Sequence, residues 1–201
     1  MLIPNLIFVR GASLIWYFCL MTYLILMSLW FFQRKLIQPN LILALITHNP
    51  CMMLLNYYLL SLTAARYGLN IFSFDFLCIN LMLYLPATEF EISRKIRAPE
   101  KETDYVTYSK LLGVPGAVRL LLCVSFVEAA ATIYMSYKLF PPVFIAVFAC
   151  YYIAYCINGF LFVREPMNKN FEIGRVARGY IYVMQGTLVV VSLLTILGVL
   201  R

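Results

Sequence analysis

Six apolar runs, each near the length of about 20 residues that carries a helix across a bilayer, leave this 201-residue chain few folds to choose from. They lie at roughly 11–32, 41–62, 69–88, 114–137, 139–163 and 179–200. In lipid every backbone polar group must be satisfied internally, so a spanning segment is a helix or a strand of a closed barrel. Barrel strands alternate in polarity over about ten residues, and runs such as Leu188 to Leu200 do not alternate. The expected fold is therefore all-α: a polytopic membrane protein built as a six-helix transmembrane bundle, one integral membrane domain over 1–201. Composition agrees, with 12% charged residues against about 25% in a soluble domain. The first run is bulky, aromatic and without a small-residue cleavage site, so it reads as a retained helix rather than a signal peptide. Cys19, Cys51, Cys78, Cys123, Cys150 and Cys156 all fall inside apolar runs with no C-x-x-C pair. They read as small buried hydrophobes, not as a disulfide framework or a metal site.

Charge separates the connections into two classes. Those after the first, third and fifth runs carry Arg34 and Lys35, then Arg94, Lys95, Arg97, Lys101, Lys110 and Arg119, then Arg164, Lys169, Arg175 and Arg178. The opposite side has only Arg10, Arg66, Lys138 and Arg201. By the positive-inside rule the basic loops, about 33–40, 89–113 and 164–178, are cytoplasmic and both termini lie outside. Topology thus accounts for the net charge of +7, and nucleic acid is not an expected partner. Pro141 and Pro142 punctuate the tight turn between the fourth and fifth runs. No internal repeat is evident.

The segment 89–113 holds five of the nine acidic residues, Glu89, Glu91, Glu100, Glu102 and Asp104, and five of the sixteen basic ones. Glu91, Arg94 and Lys95 share one face if the third helix continues, by their i, i+3 and i+4 spacing. Pro99 is expected to stop that helix near Ala98. One reading is a solvated loop whose cations set topology. The other is a diphosphate site, in which carboxylates hold Mg²⁺ against phosphate oxygens while Arg and Lys neutralise the remaining charge and hydroxyls add hydrogen bonds.

The run Glu91-Ile92-Ser93-Arg94-Lys95-Ile96-Arg97-Ala98-Pro99-Glu100-Lys101-Glu102, continuing to Thr107-Tyr108-Ser109 and Gly113, resembles the second polar motif of a branch of the UbiA superfamily of intramembrane prenyltransferases. That branch reads E-I-x-R-K-x-R-A-P-E-x-E, then T-Y-S and a Gly. A fainter echo is Thr47-His48-Asn49-Pro50, where the branch has a His followed by Met and Pro. The resemblance implies a helical bundle around a lipid-accessible cavity, and transfer of a polyprenyl group from a diphosphate donor to a small acceptor with Mg²⁺ as cofactor. Carried over by position, Glu91, Glu100, Glu102 and Asp104 are candidate metal ligands. Arg94, Lys95 and Arg97 would bind diphosphate, and Tyr108, Ser109, Glu128 and His48 are candidate cavity residues. No single catalytic residue is singled out.

One departure limits the comparison. These enzymes also carry a first Asp-rich motif of the D-x-x-x-D kind on earlier spans, and the only acid here before Glu89 is Asp75. The expectation is a truncated or split member whose missing motif comes from a second chain or an upstream frame. Half of such a site is expected to bind substrate poorly. Two other functions stand beside this one: a non-catalytic membrane binding or assembly subunit, and a small transporter using Glu128. Glu128 alternatively makes an interhelical hydrogen bond, and His48, the lone histidine, alternatively packs as a polar core residue. Asn56 and Asn158 read as interhelical glue.

Overall fold

A computed structural model of the chain describes residues 11–102, 106–168 and 172–198. Among them every regular element is helical: α1 Ala12–Ser28, α2 Arg34–Ile37, α3 Leu41–His48, α4 Pro50–Tyr67, α5 Phe74–Ser93, α6 Tyr108–Leu139, α7 Val143–Arg164 and α8 Ile173–Ile196, with 3₁₀ turns at Trp30–Phe32 and Pro99–Lys101. Three of these, α6, α7 and α8, are long and apolar enough to cross a membrane. At about 1.5 Å per residue the 22-residue α7 is about 33 Å long, enough for a hydrocarbon core of about 30 Å. The outward faces of these helices are apolar: Phe126, Ile153, Ile157, Phe160, Val189 and Leu193 are all more than half exposed. Such faces suit lipid rather than water.

The first three apolar runs are built differently from the sequence expectation. The run 11–32 yields a 17-residue helix, α1, too short at about 25 Å to match the hydrocarbon core by itself. It ends where Trp30, Phe31 and Phe32 take left-handed φ values of 53°, 49° and 60°. The run 41–62 is divided at Asn49, with Pro50 opening α4, the position where proline's missing N–H costs nothing. The run 69–88 starts late. Asn70 and Ser73 side chains accept from the Phe72 and Phe76 amides in a turn before α5, and α5 then carries on past position 88 to Ser93.

The chain divides into two compact units, 1–84 and 85–201. In the first, α1 packs on α4 through Tyr17, Leu20 and Tyr58, and Trp16 stacks on Tyr57 with ring centroids 4.7 Å apart. Tyr23 donates to the Thr47 carbonyl at 2.9 Å, and Asn80 donates to the Met53 carbonyl at 3.1 Å.

In the second unit, α6 buries Ala117, Val118, Leu121, Ser125, Glu128, Ala129, Thr132, Met135 and Ser136. These recur at helical spacing, and most are small. Small residues let membrane helices approach closely, where dispersion contacts replace the absent hydrophobic drive. Gly159 of α7 shows how close: a Cβ there would lie 3.2 Å from Leu122 and 3.3 Å from Val118. Tyr152 donates across the same interface to the Leu122 carbonyl at 3.2 Å. Tyr155 and Tyr180 stack face to face at 4.4 Å, joining α7 to α8.

Candidate anion-binding site

The polar segment begins on the last turn of α5. Glu91 pairs with Arg94 at 2.7 Å and with Lys95 at 2.7 Å, as the i, i+3 and i+4 spacing predicts. The α-helix ends at Ser93, earlier than the expected stop near Ala98. Ala98 itself is extended, the conformation favoured before a proline, and Pro99 opens a single 3₁₀ turn.

The returning chain is fastened to the outgoing one. Tyr108 N–H donates to the Lys95 carbonyl at 2.9 Å, and Arg97 N–H donates to Ser109 Oγ at 2.9 Å. The Glu102 carboxylate accepts from Thr107 Oγ1 at 2.8 Å and from Ser109 Oγ. Thr107 also caps α6 by accepting from the Lys110 amide at 3.2 Å. Six residues after Thr107, Gly113 holds φ 68°, ψ 163° inside α6, a combination open essentially to glycine alone. Its left-handed step lets one turn of helix carrying Tyr108 and Ser109 meet the loop before the spanning part of α6 begins.

Against this fastened loop stand the end of α7 and the start of α8. Together they enclose a pocket of about 370 Å³ that includes Arg94, Arg97, Lys101, Asn168, Glu172 and Arg178. Ile173 and Gly174, the first residues of α8, form part of its wall. A helix N-terminus has unsatisfied amides and partial positive charge, and so favours an anion. Gly174 permits the approach, since a Cβ there would sit 3.4 Å from the Ser93 carbonyl oxygen. The pocket therefore gathers four cationic side chains, one helix N-terminus and one carboxylate, Glu172, which is itself paired with Arg175 at 3.1 Å.

The predicted site residues separate in the structure. Arg94 and Arg97 line the pocket, whereas Lys95 is not among its lining residues and is tied to Glu91. Glu100 is exposed on the 3₁₀ turn, Glu102 belongs to the loop fastening, and Asp104 lies outside the described residues. Among the described residues no three His, Cys, Asp or Glu side chains come together as a metal-binding group. Tyr108 and Ser109 are buried and position the loop rather than line the pocket. His48 lies in the first unit, 3.0 Å from Thr47 Oγ1, with its ring centroid 4.9 Å from that of Trp30. It is half-buried and packed against that ring. Glu128 is buried and accepts from Tyr180 at 2.8 Å and Gln185 at 3.2 Å, which is the interhelical arrangement between α6 and α8.

Sequence reading placed Arg175 and Arg178 in a loop because charge was assigned to water outside the span. In fact α8 starts at Ile173 and extends beyond its apolar stretch. The three-residue spacing of Arg175 and Arg178, leading into the apolar stripe Tyr180, Met184, Leu188 and Val191, was the available signal. Comparison with protein-family models, with curated proteins and with solved structures finds no match to this chain.

Proposed function

We propose that this is a multi-pass membrane protein of prenyltransferase-like design that binds the diphosphate head of a polyprenyl donor in the pocket between the 94–101 loop and the start of α8. The observation that supports it is the convergence of Arg94, Arg97, Lys101 and Arg178 on a helix N-terminus in one cavity. Arg forks and Lys ammonium groups match phosphate oxygens and strengthen as water is excluded. Prenyl transfer to a small acceptor is the activity implied by the resemblance of residues 91–113. In it, the same cations would stabilise the departing diphosphate as the allylic C–O bond breaks. The binding proposed here rests on the chain's own cations.

The wider arrangement belongs to the same proposal: six membrane crossings, with the loops bearing twelve of the sixteen basic residues in the cytoplasm. A charged pocket at the cytoplasmic end of apolar helices can hold a water-soluble head while the donor's hydrocarbon chain stays in lipid.

The test is binding of farnesyl diphosphate to the detergent-purified protein, with inorganic diphosphate in parallel and each with and without Mg²⁺. Loss of one charge-assisted contact corresponds to about 1.5–3 kcal/mol, so Arg97→Ala and Arg178→Ala are each expected to weaken binding at least about tenfold. Wild-type affinity in both variants would sink the assignment.

A further inference from the structure

In the second unit, on residues that do not line the anion pocket, two buried carboxylates interact. Glu89 comes from α5 and Glu128 from α6, and they are 0% and 1% exposed. Glu128 accepts once at each oxygen, from the Tyr180 hydroxyl and from the Gln185 amide, which leaves a lone pair on each oxygen for a further partner. Glu89 is the opposite case, since neither of its oxygens has a hydrogen-bond partner. Ser125 stands beside it, but its single proton is donated to the Leu121 carbonyl at 2.8 Å, so toward any other partner its oxygen can only accept. Tyr155 of α7 also faces Glu89, is 2% exposed, and has an unpartnered hydroxyl.

The surroundings supply no counter-charge. Among the buried described residues there is no lysine, arginine or histidine. The groups that interact with Glu89 are Ser125 and Glu128 on α6, Tyr152 and Tyr155 on α7, and Tyr180 on α8. Among the described residues of the second unit, every buried side-chain polar atom that lacks a partner is an oxygen. Buried charge is retained in proteins where it is paired or binds a metal ion, and an acid inside a membrane domain is a functional group by default.

We propose that Glu89 and Glu128, with Ser125 Oγ and the Tyr155 hydroxyl, form an internal site for a hard metal cation. An all-oxygen set of this kind selects among Na⁺, Mg²⁺ and Ca²⁺ rather than soft or nitrogen-seeking ions. A bound cation would answer both unpartnered oxygens of Glu89 and the hydroxyl of Tyr155 together, and would tie α5, α6 and α7 to one point. It is independent of the anion pocket, whose cations lie on other residues.

The experiment is thermal unfolding of the chelator-treated protein in detergent, with NaCl, MgCl₂ and CaCl₂ titrated against choline chloride of equal ionic strength. The ion that fits is expected to raise the Tm by about 5 °C or more at about 100 times its Kd. Glu89→Gln, which keeps the shape of a neutral acid, is expected to lose that rise. Tyr155→Phe is expected to shift the midpoint of the titration upward about tenfold. Glu165→Gln, on an exposed acid, should respond as wild type. If no cation outperforms choline, or if Glu89→Gln retains the full rise, the proposal is overturned and Glu89 is a buried neutral acid.

Discussion

Glu91 and Glu102 were both legible as acids in a polar segment, yet their neighbours give them unlike roles. Glu91 spends its charge on Arg94 and Lys95. These partly solvated pairs on one helix end stabilise weakly, by about 0–1 kcal/mol, so Glu91→Gln should change stability by about 1 kcal/mol or less. It should also free Arg94 and raise affinity for inorganic diphosphate a few-fold without Mg²⁺. Isothermal titration would show this, and a fall in affinity seen only with Mg²⁺ present would return Glu91 to the role of a metal ligand. Glu102 instead holds Thr107 and Ser109. Glu102→Ala strands two hydroxyls and is expected to cost about 1–3 kcal/mol. A double-mutant cycle in chemical denaturation should show coupling with Ser109→Ala, because the two side chains share one interaction. Spacing revealed the Glu91 pairs, since i, i+3 and i+4 are fixed by the helix. It could not reveal the Glu102 contacts, which depend on where the chain turns between α5 and α6.

Among the elements, α6, α7 and α8 were readable as whole spans because their apolar runs are long and uninterrupted. The shorter pieces were not. Nothing in the apolar run 11–32 announces the left-handed stretch at Trp30–Phe32, a conformation that costs about 1–2 kcal/mol per non-glycine residue and that only tertiary surroundings can impose. Gly113 was noticed as a motif residue, but its bend inside α6 was not. Replacing it should be costly whatever space is available: Gly113→Ala is expected to destabilise by about 1–3 kcal/mol, measured as a lower midpoint in detergent-resistant unfolding. Gly159→Leu tests packing instead. It would force Leu122 and Val118 away, and overpacking of that kind typically costs about 1–3 kcal/mol.

For the molecule as a whole, hydropathy and charge asymmetry carried the all-helical, membrane-spanning character, while the pocket was out of their reach. Arg97 and Arg178 lie far apart in the chain and share no pattern; only the start of α8 beside Ser93 brings their segments together. The juxtaposition of Glu89 with Glu128 is equally invisible to spacing. Topology itself is open to measurement. With the chain in sealed right-side-out vesicles, a cysteine placed at exposed Glu100 in a background lacking the native cysteines should resist a membrane-impermeant maleimide until the vesicles are opened. Labelling in intact vesicles would reverse the proposed orientation.

The bond from Tyr180 to Glu128 spans 52 residues of sequence, and that separation has a consequence during synthesis. At about 5–20 residues per second, α8 emerges from the ribosome roughly 3–10 s after α6. For that interval Glu128 must wait in or beside the bilayer without the donors that later hold it, against a cost of about 2.5–3.5 kcal/mol for an acid at mid-span. The newborn helix hairpin is thus most exposed to quality control just before its last helix arrives, and a ribosome pausing in that interval would lengthen the exposure.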